Sequence, residues 1–153
     1  MAEPIPDPNL IFKFKRVYLK DTSYESPNAH RLLAEPKPHQ VSAQFNVTHQ
    51  AIDHEQRFYE VVLHVRIASM QDDEVAFVVE LQQAGVFEIA GAAPEELPIL
   101  LKVRCPEILI AFARQAVCDL VVKGGFPQLL INPVNFEALY SQKRGTNERQ
   151  AKG

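Results

Sequence analysis

The apolar residues of this chain follow two different periods. In the first half they alternate with polar residues in four short runs, a pattern typical of strands that bury one face of a sheet. The later runs are joined by short connections and the first by a longer one, which predicts a single four-stranded antiparallel sheet. The runs cover residues 10–19, 41–49, 58–69 and 75–83.

The first run is irregular, and the connection after it is long. Phe14 alternates with lysines, whereas Val17 has the opposite parity. A change of phase near Lys15 and Arg16 predicts a β-bulge or a twist in a strand at the edge of the sheet. Residues 26–40 contain three prolines and are too many for a hairpin, so we expect a crossover loop there.

The second half of the chain has a helical period. Residues 107–123 form the strongest helical pattern, which two glycines end, and Pro106 stands where a helix can begin. Residues 91–105 predict a loop with one or two helical turns, and a short helix is expected from about Asn135. The predicted fold is therefore α+β, with one long and one short helix packed on the sheet.

The long helix is apolar around nearly its whole circumference. A helix that covers one sheet needs an apolar stripe on one side only. Because a four-stranded sheet cannot wrap such a helix, we expect a homo-oligomer in which helices are sandwiched between sheets. The predicted domains are a loose segment at 1–9, a single domain at 10–140 and a flexible basic tail at 141–153.

Charge and composition exclude several classes of protein. The formal net charge is −3, but the tail from residue 141 holds four basic residues and one acid, so the body carries −6. An acidic body favours basic partners over nucleic acid. The two cysteines, Cys105 and Cys118, lack the spacing of a metal site. Without a secretory signal pattern or an apolar run long enough to span a bilayer, the chain is expected to be cytoplasmic.

Two pairs of polar residues are candidates for chemistry. Asp21 and Glu25 share one parity on a strand, so they suit solvated decoration, a catalytic pair or a docking surface for a basic partner. Catalysis by paired acids needs a cleft that shifts their pKa values, and the sequence offers no sign of one. Glu60 and His64 share a strand face, and we expect both to be solvated.

Four motifs resemble the SecB family of bacterial protein-export chaperones. In chain order they read RVYLKDTSYESPNA, ELQQAGVFEIAG, CPEILIAFAR and GGFPQLLINPVNFEALY, and the resemblance covers about residues 12–140. It implies a homotetramer built as a dimer of dimers. Each subunit would contribute four antiparallel strands and two helices, with the long helices packed between eight-stranded sheets.

The resemblance also implies a function. Members of the family are ATP-independent chaperones of the bacterial cytoplasm that bind unfolded precursor proteins and keep them competent for export. They deliver these clients to SecA, the ATPase of the Sec translocase. The resemblance implies no enzymatic activity, cofactor, metal, nucleic acid or direct membrane insertion.

Residue by residue, the resemblance implies three sets of positions. The first set matches the site at which the basic, zinc-binding C-terminal segment of SecA docks. It consists of Asp21, Glu25, Val78 and Glu80. The candidates for client binding are Tyr24, Phe136, Leu139 and Tyr140. The positions associated with tetramer integrity are Val79, Leu81 and Gln83.

The chain departs from the family at two places, and two alternatives stay open. Some members have a tryptophan where this chain has Lys37, and many family tails are acidic or rich in glutamine where this one is basic. One alternative is a small oligomeric α+β enzyme with a pocket between sheet and helix. The other is a SecB-like chaperone dedicated to a toxin–antitoxin partner.

Overall fold

The computed structural model describes residues 9–143. Residues 1–8 of the predicted N-terminal segment and residues 144–153 of the predicted tail therefore lie outside the described residues. Four strands form one antiparallel sheet in the order β1-β4-β3-β2, which confirms the predicted sheet. Their bounds are β1 Ile11–Glu25, β2 Gln40–Ala51, β3 Phe58–Gln71 and β4 Glu74–Ala90.

The connection from β1 to β2 crosses the sheet from one edge to the other, as the three prolines predicted. It also contains a short helix, α1 (Ala29–Ala34). Two side chains fasten its first residues to β4: the Ser26 hydroxyl donates to the carbonyl of Ala76 at 2.6 Å, and the Asn28 amide donates to that of Val75 at 3.3 Å. The start of the crossover is thereby held against the sheet.

Strand β1 contains two bulges where it pairs with β4. The first, at Lys15, confirms the predicted change of phase. The second, at Lys20, was not predicted. A bulge places two successive residues opposite one partner and so reverses the parity of everything after it. Leu19 consequently lies on the inner face of the sheet, towards the helices, whereas Asp21 lies on the outer face.

The long helical region begins earlier than the sequence predicted. It starts with α2 (Leu97–Ile99), continues through a π-helical turn at Leu100–Arg104 and becomes α3 (Cys105–Lys123) without a break. Pro106 therefore lies inside the helical run. Because proline has no backbone N–H, the α-helical bond to the Lys102 carbonyl cannot form, and a wider π turn directly before the proline accommodates the loss.

The core lies between the inner face of the sheet and α3. The helix buries Leu109, Ala113, Val117 and Val121 against inward residues of β3 and β4 such as Leu63. A last helical segment covers residues 136–143, confirming the predicted short helix. Asn135 begins it, since its side-chain oxygen accepts the backbone N–H of Ala138 at 3.0 Å.

Part of α3 stays uncovered in the single chain. Phe112 is 41% exposed and Val122 52% exposed. On the edge strand β1, Val17 and Leu19 line a cavity of about 450 Å³ together with Phe112. Apolar surface is therefore left over on the helix and the adjoining edge, as the sequence pattern predicted.

Candidate functional site

The four predicted docking residues lie on the outer face of the sheet, which we call the docking face. Asp21 and Glu25 of β1 share rows with Gln82 and Val78 of β4, and Glu80 occupies the row between them. Paired residues of an antiparallel sheet point to the same side. The structure thus brings together, on one surface, residues that lie more than fifty positions apart in sequence.

Two of the carboxylates on the docking face have no ion-pair partner among the described residues. Glu80 pairs with Arg66, its neighbour on β3. Asp21 and Glu25 are exposed, and no cation within residues 9–143 lies within ion-pair distance of either carboxylate. Their negative charge is therefore available to a basic partner.

A shallow cavity of about 410 Å³ opens on the same face between Asp21 and Glu80. His64 also lines it and lies 2.9 Å from the Thr48 hydroxyl through Nε2. Partial burial lowers the pKa of His64, and the nearby Lys20 ammonium lowers it further. The cavity is thus lined by polar side chains of all four strands.

Glu60 is buried, so the expectation that it is solvated was wrong. Its residue exposure is 9%, and three side chains donate to its carboxylate. The Tyr18 hydroxyl is one donor, Lys20 Nζ lies 2.9 Å away and Gln50 Nε2 lies 3.3 Å away. Burial alone would raise the pKa of Glu60, but these donors reverse the sign and hold it below its usual value.

The same network acts on its donors. Burial, together with the bond to Glu60, raises the pKa of Tyr18 to about 12. Lys20 is the residue at the second bulge of β1, and its ammonium is held on the outer face against Glu60. The next residue, Asp21, therefore begins the stretch of β1 that presents its acids outward.

Buried cysteine and metal chemistry find no support in the described part of the chain. Cys105 is fully buried, and burial raises the pKa of its thiol, which keeps it protonated and unreactive. Between residues 9 and 143 there is no group of three or more His, Cys, Asp or Glu side chains placed to hold a metal ion. In the same range no helix combines the length and hydrophobicity that a bilayer crossing requires.

Tyr24, a predicted client residue, lies on the inner face near the start of the crossover. Its ring stacks on Phe77 with centroids 6.1 Å apart, and Phe77 in turn lies 5.2 Å from Phe126. His39 joins the group edge-on to Phe126 at 5.5 Å. Burial raises the pKa of Tyr24. We call these four residues the aromatic cluster.

The other predicted client residues belong to the last helical segment. Phe136 is only 2% exposed and is part of the core, whereas Leu139 and Tyr140 are half-buried and pack against it. The structure therefore divides the predicted set between two elements. Within the single chain, Leu139 and Tyr140 retain surface that a client could contact, and Phe136 has almost none.

The positions that the resemblance links to tetramer integrity are buried within the single chain. Val79, Leu81 and Gln83 point to the inner face, and each is less than 5% exposed. The Gln83 amide donates to the backbone carbonyl of Tyr18 at 3.1 Å, which ties β4 to the edge strand. Any effect of these residues on a neighbouring subunit would pass through the position of β1 and α3.

One apolar surface escaped the sequence analysis. Leu130 is 84% exposed, and it borders a cavity of about 400 Å³ with Leu129, Ile131 and Arg114. In the sequence this surface appears only as a short apolar run in a loop flanked by prolines. The run has neither a helical nor a strand period that could have indicated its exposure. In the crossover, Lys37 pairs with Asp72 at 2.7 Å.

Comparison with known proteins decides the family. The family model described as preprotein translocase subunit SecB matches residues 6–147. The chain belongs to the SecB family. Two proteins named protein-export protein SecB illustrate the likeness. That of Nitrosospira multiformis is 40% identical, with 92% of this chain and 87% of the relative covered. That of Methylobacillus flagellatus is 42% identical with the same coverage.

A solved structure supports the SecB fold. A SecB-like chaperone of Mycobacterium tuberculosis, in complex with a peptide from the HigA1 antitoxin, superposes with a TM-score of 0.68. The two sequences are 16% identical, and the match covers 80% of this chain and 90% of that one. At this identity the likeness concerns the fold alone.

Proposed function

We propose that this chain is an ATP-independent chaperone of the bacterial cytoplasm that holds precursor proteins unfolded for export and passes them to SecA. Membership of the SecB family supports this role. The observation that carries the transfer step is the docking face, where Asp21 and Glu25 expose carboxylates without ion-pair partners in the described structure. The proposed partner is the basic, zinc-binding C-terminal segment of SecA.

The docking step is electrostatic in this proposal. Exposed ion pairs contribute about 0.2–1 kcal/mol each, so several must act together on one surface. Asp21, Glu25 and Glu80 supply the charges, and Val78 supplies an apolar contact beside Glu25. Because exposed charges are screened over about 8–10 Å at moderate salt, binding should weaken clearly as the salt concentration rises.

Client binding is proposed to use apolar surface that remains on the inner side of the protein. Tyr24 of the aromatic cluster and the half-buried Leu139 and Tyr140 are the proposed contacts, with Phe136 as their support in the core. A chaperone without a nucleotide cycle needs only exposed apolar grooves that recognise what folding hides. A long client gains affinity by crossing the grooves of several subunits at once.

The proposed assembly is a homotetramer formed as a dimer of dimers. The exposed apolar residues of β1 and α3, including Leu19, Phe112 and Val122, support burial against further subunits. The unpaired edge of β1 is long enough to pair with a second copy. Buried Val79, Leu81 and Gln83 are proposed to act on this assembly by fixing the position of β1 against β4.

A titration of the isolated SecA C-terminal segment tests the docking assignment. Asp21→Lys and Glu80→Lys should each weaken binding about 3- to 10-fold at low salt, because each replaces an attraction by a repulsion. Glu95→Lys, at an exposed acid in the loop before α2, is the matched control and should bind normally. All three proteins should still suppress aggregation of an unfolded precursor without nucleotide. Normal SecA binding by both docking variants would contradict the assignment.

The second candidate is a SecB-like chaperone dedicated to a toxin–antitoxin partner. A chaperone of Mycobacterium tuberculosis that shares this fold is in complex with an antitoxin peptide, which motivates this candidate. Identity of about 40% to proteins named for protein export favours the first candidate. Purification of the chain with its bound partners separates the two. Varied unfolded precursors support export, and a single antitoxin at a fixed ratio supports the alternative.

A further inference from the structure

The described chain ends on the docking face. The last helical segment begins at Phe136 in the core and ends with Lys143, whose ammonium donates to the Asn46 side chain on the outer face of β2. Lys143 also lines the cavity that Asp21 and Glu80 border. The chain thus passes around the β2 edge and arrives at the surface where a basic partner is proposed to bind.

Ten residues follow Lys143, and their composition suits this surface. They contain three basic residues, Arg144, Arg149 and Lys152, and one acid, Glu148. We call residues 144–153 the basic tail. The docking face around this cavity has the opposite balance, because Lys143 can offset only one of its two unpaired acids. Arg66 is paired with Glu80 and Lys20 with Glu60, whereas Asp21 and Glu25 have no ion-pair partner within the described range.

The distances allow the basic tail to reach both acids. Asn46 and Asp21 stand at opposite ends of one row across the four strands. With about 4.8 Å between neighbouring strands, that row spans about 14 Å, and Glu25 lies about 13 Å further along β1. An extended chain covers about 3.3 Å per residue, so Arg149 can reach about 20 Å from Lys143 and Lys152 about 30 Å.

We propose that the basic tail lies across the docking face of its own chain, with Arg149 and Lys152 near Asp21 and Glu25, and competes there with the basic partner segment. The contact of the tail with the face stands on the geometry alone. The competition rests on the proposed function. A tethered competitor of this kind acts at high effective concentration, so even weak ion pairs hold it in place part of the time.

Zero-length crosslinking tests the contact without any partner. A carbodiimide joins a lysine amine to a carboxylate only where the two already touch. In the full chain at low salt, Lys152 should crosslink to Asp21 or Glu25, and the product should disappear at about 0.5 M salt, where charges are screened within about 4 Å. Glu95 and Glu55 are exposed acids that serve as controls. Equal crosslinking of Lys152 to the control acids would overturn the proposal.

The same crosslinking on a mixture of isotope-labelled and unlabelled chains shows whether the tail on the docking face comes from the same chain or from a neighbouring one. Crosslinks within one chain support the proposal as stated. Crosslinks only between labelled and unlabelled chains would overturn it in favour of a tail from a neighbouring subunit. This experiment needs no SecA, so its result stands even if the proposed docking of SecA fails.

A matched pair of variants tests the competition. Arg149→Gln with Lys152→Gln makes the distal tail acidic, and Lys13→Gln with Lys123→Gln removes the same charge elsewhere from exposed positions. Lys13 is paired opposite Glu88, six residues from Gln82 along β4 and so about 20 Å from Asp21. At low salt the tail variant should bind the SecA segment at least about 3-fold more tightly than the control variant.

The other outcomes are equally decisive. If both variants bind the SecA segment more tightly to the same extent, the effect is one of net charge, and the proposed competition is overturned. Weaker binding by the tail variant would show that the tail assists the partner instead. If no form of the chain binds the SecA segment, the proposed function fails, and the crosslinks alone decide the contact.

Discussion

Gly124 ends α3 directly against the ring of Tyr24, and an alanine at this position should dislodge that ring. The backbone of Gly124 has φ −74° and ψ −3°, a conformation that alanine adopts without strain. A Cβ built there would overlap Oη and Cζ of Tyr24 and lie 2.9 Å from its Cε1. The tyrosine must therefore move away from its place in the aromatic cluster.

The cost can be estimated from what Tyr24 loses. Its stacking on Phe77, at 6.1 Å between centroids, is an aromatic pair of a kind worth about 0.5–1.5 kcal/mol. Loss of part of its burial adds about 1 kcal/mol. Replacing glycine by alanine also restricts the unfolded chain, which stabilises the folded protein by about 0.4–1 kcal/mol. Gly124→Ala should therefore destabilise the protein by about 1–2 kcal/mol.

A double-mutant cycle isolates the cause. In a Tyr24→Ala background the overlap is absent, so Gly124→Ala should be neutral or stabilising by up to about 1 kcal/mol. The coupling between the two sites should be about 1–3 kcal/mol. Denaturant unfolding of the four proteins at one chain concentration measures it, and aggregation assays with an unfolded precursor test whether Tyr24 contacts clients.

Gly125→Ala is the matched control for this cycle. Gly125 has φ +92°, where any side chain is strained, and its Cβ would approach Leu33 rather than Tyr24. Its cost should be the same with and without Tyr24. If Gly124→Ala is equally destabilising in both backgrounds, the predicted overlap with Tyr24 is wrong.

Three further predictions follow from single positions. Folding raises the pKa of Tyr18 to about 12, so the stability that this shift contributes is present below about pH 10 and is lost as the pH rises towards 12. Tyr18→Phe should therefore reduce the loss of stability at alkaline pH, as measured by unfolding at a series of pH values. Phe112→Ser should weaken self-association at least about tenfold in sedimentation, since it removes an aromatic ring that is 41% exposed on α3, and an unchanged assembly would contradict that interface. Gly85→Ala should destabilise by about 1–3 kcal/mol in denaturant unfolding, because its Cβ would lie 2.8 Å from the Leu109 side chain and 3.2 Å from the Arg16 carbonyl.

The four strands and the long helix could be predicted because each has a regular period of its own. The interruptions could be predicted only where they disturb that period. The bulge at Lys15 shows as a change of parity between Phe14 and Val17. The π turn before Pro106 changes no strand parity and lies in a segment already ambiguous between loop and helix, so the pattern gave no indication of it.

The surroundings of Glu60 could not be predicted from neighbours in sequence. Its carboxylate is enclosed by Tyr18 and Lys20 of β1 and by Gln50 of β2, which come from the two opposite edges of the sheet. A glutamate that alternates with apolar residues predicts a solvated position on average. Only the strand order brings enough donors together to bury it.

The second bulge explains both the success and the limit of the prediction for Asp21 and Glu25. Their separation of four residues places them on one face wherever the strand lies, so the sequence could show that they act together. It could not show which face. Counting on from the inward Leu19 without an interruption turns both acids towards the helices. The bulge at Lys20, held against Glu60, turns them outward into the rows of Gln82 and Val78, on either side of the Glu80 row. One inserted residue therefore decides whether two carboxylates face the core or a partner.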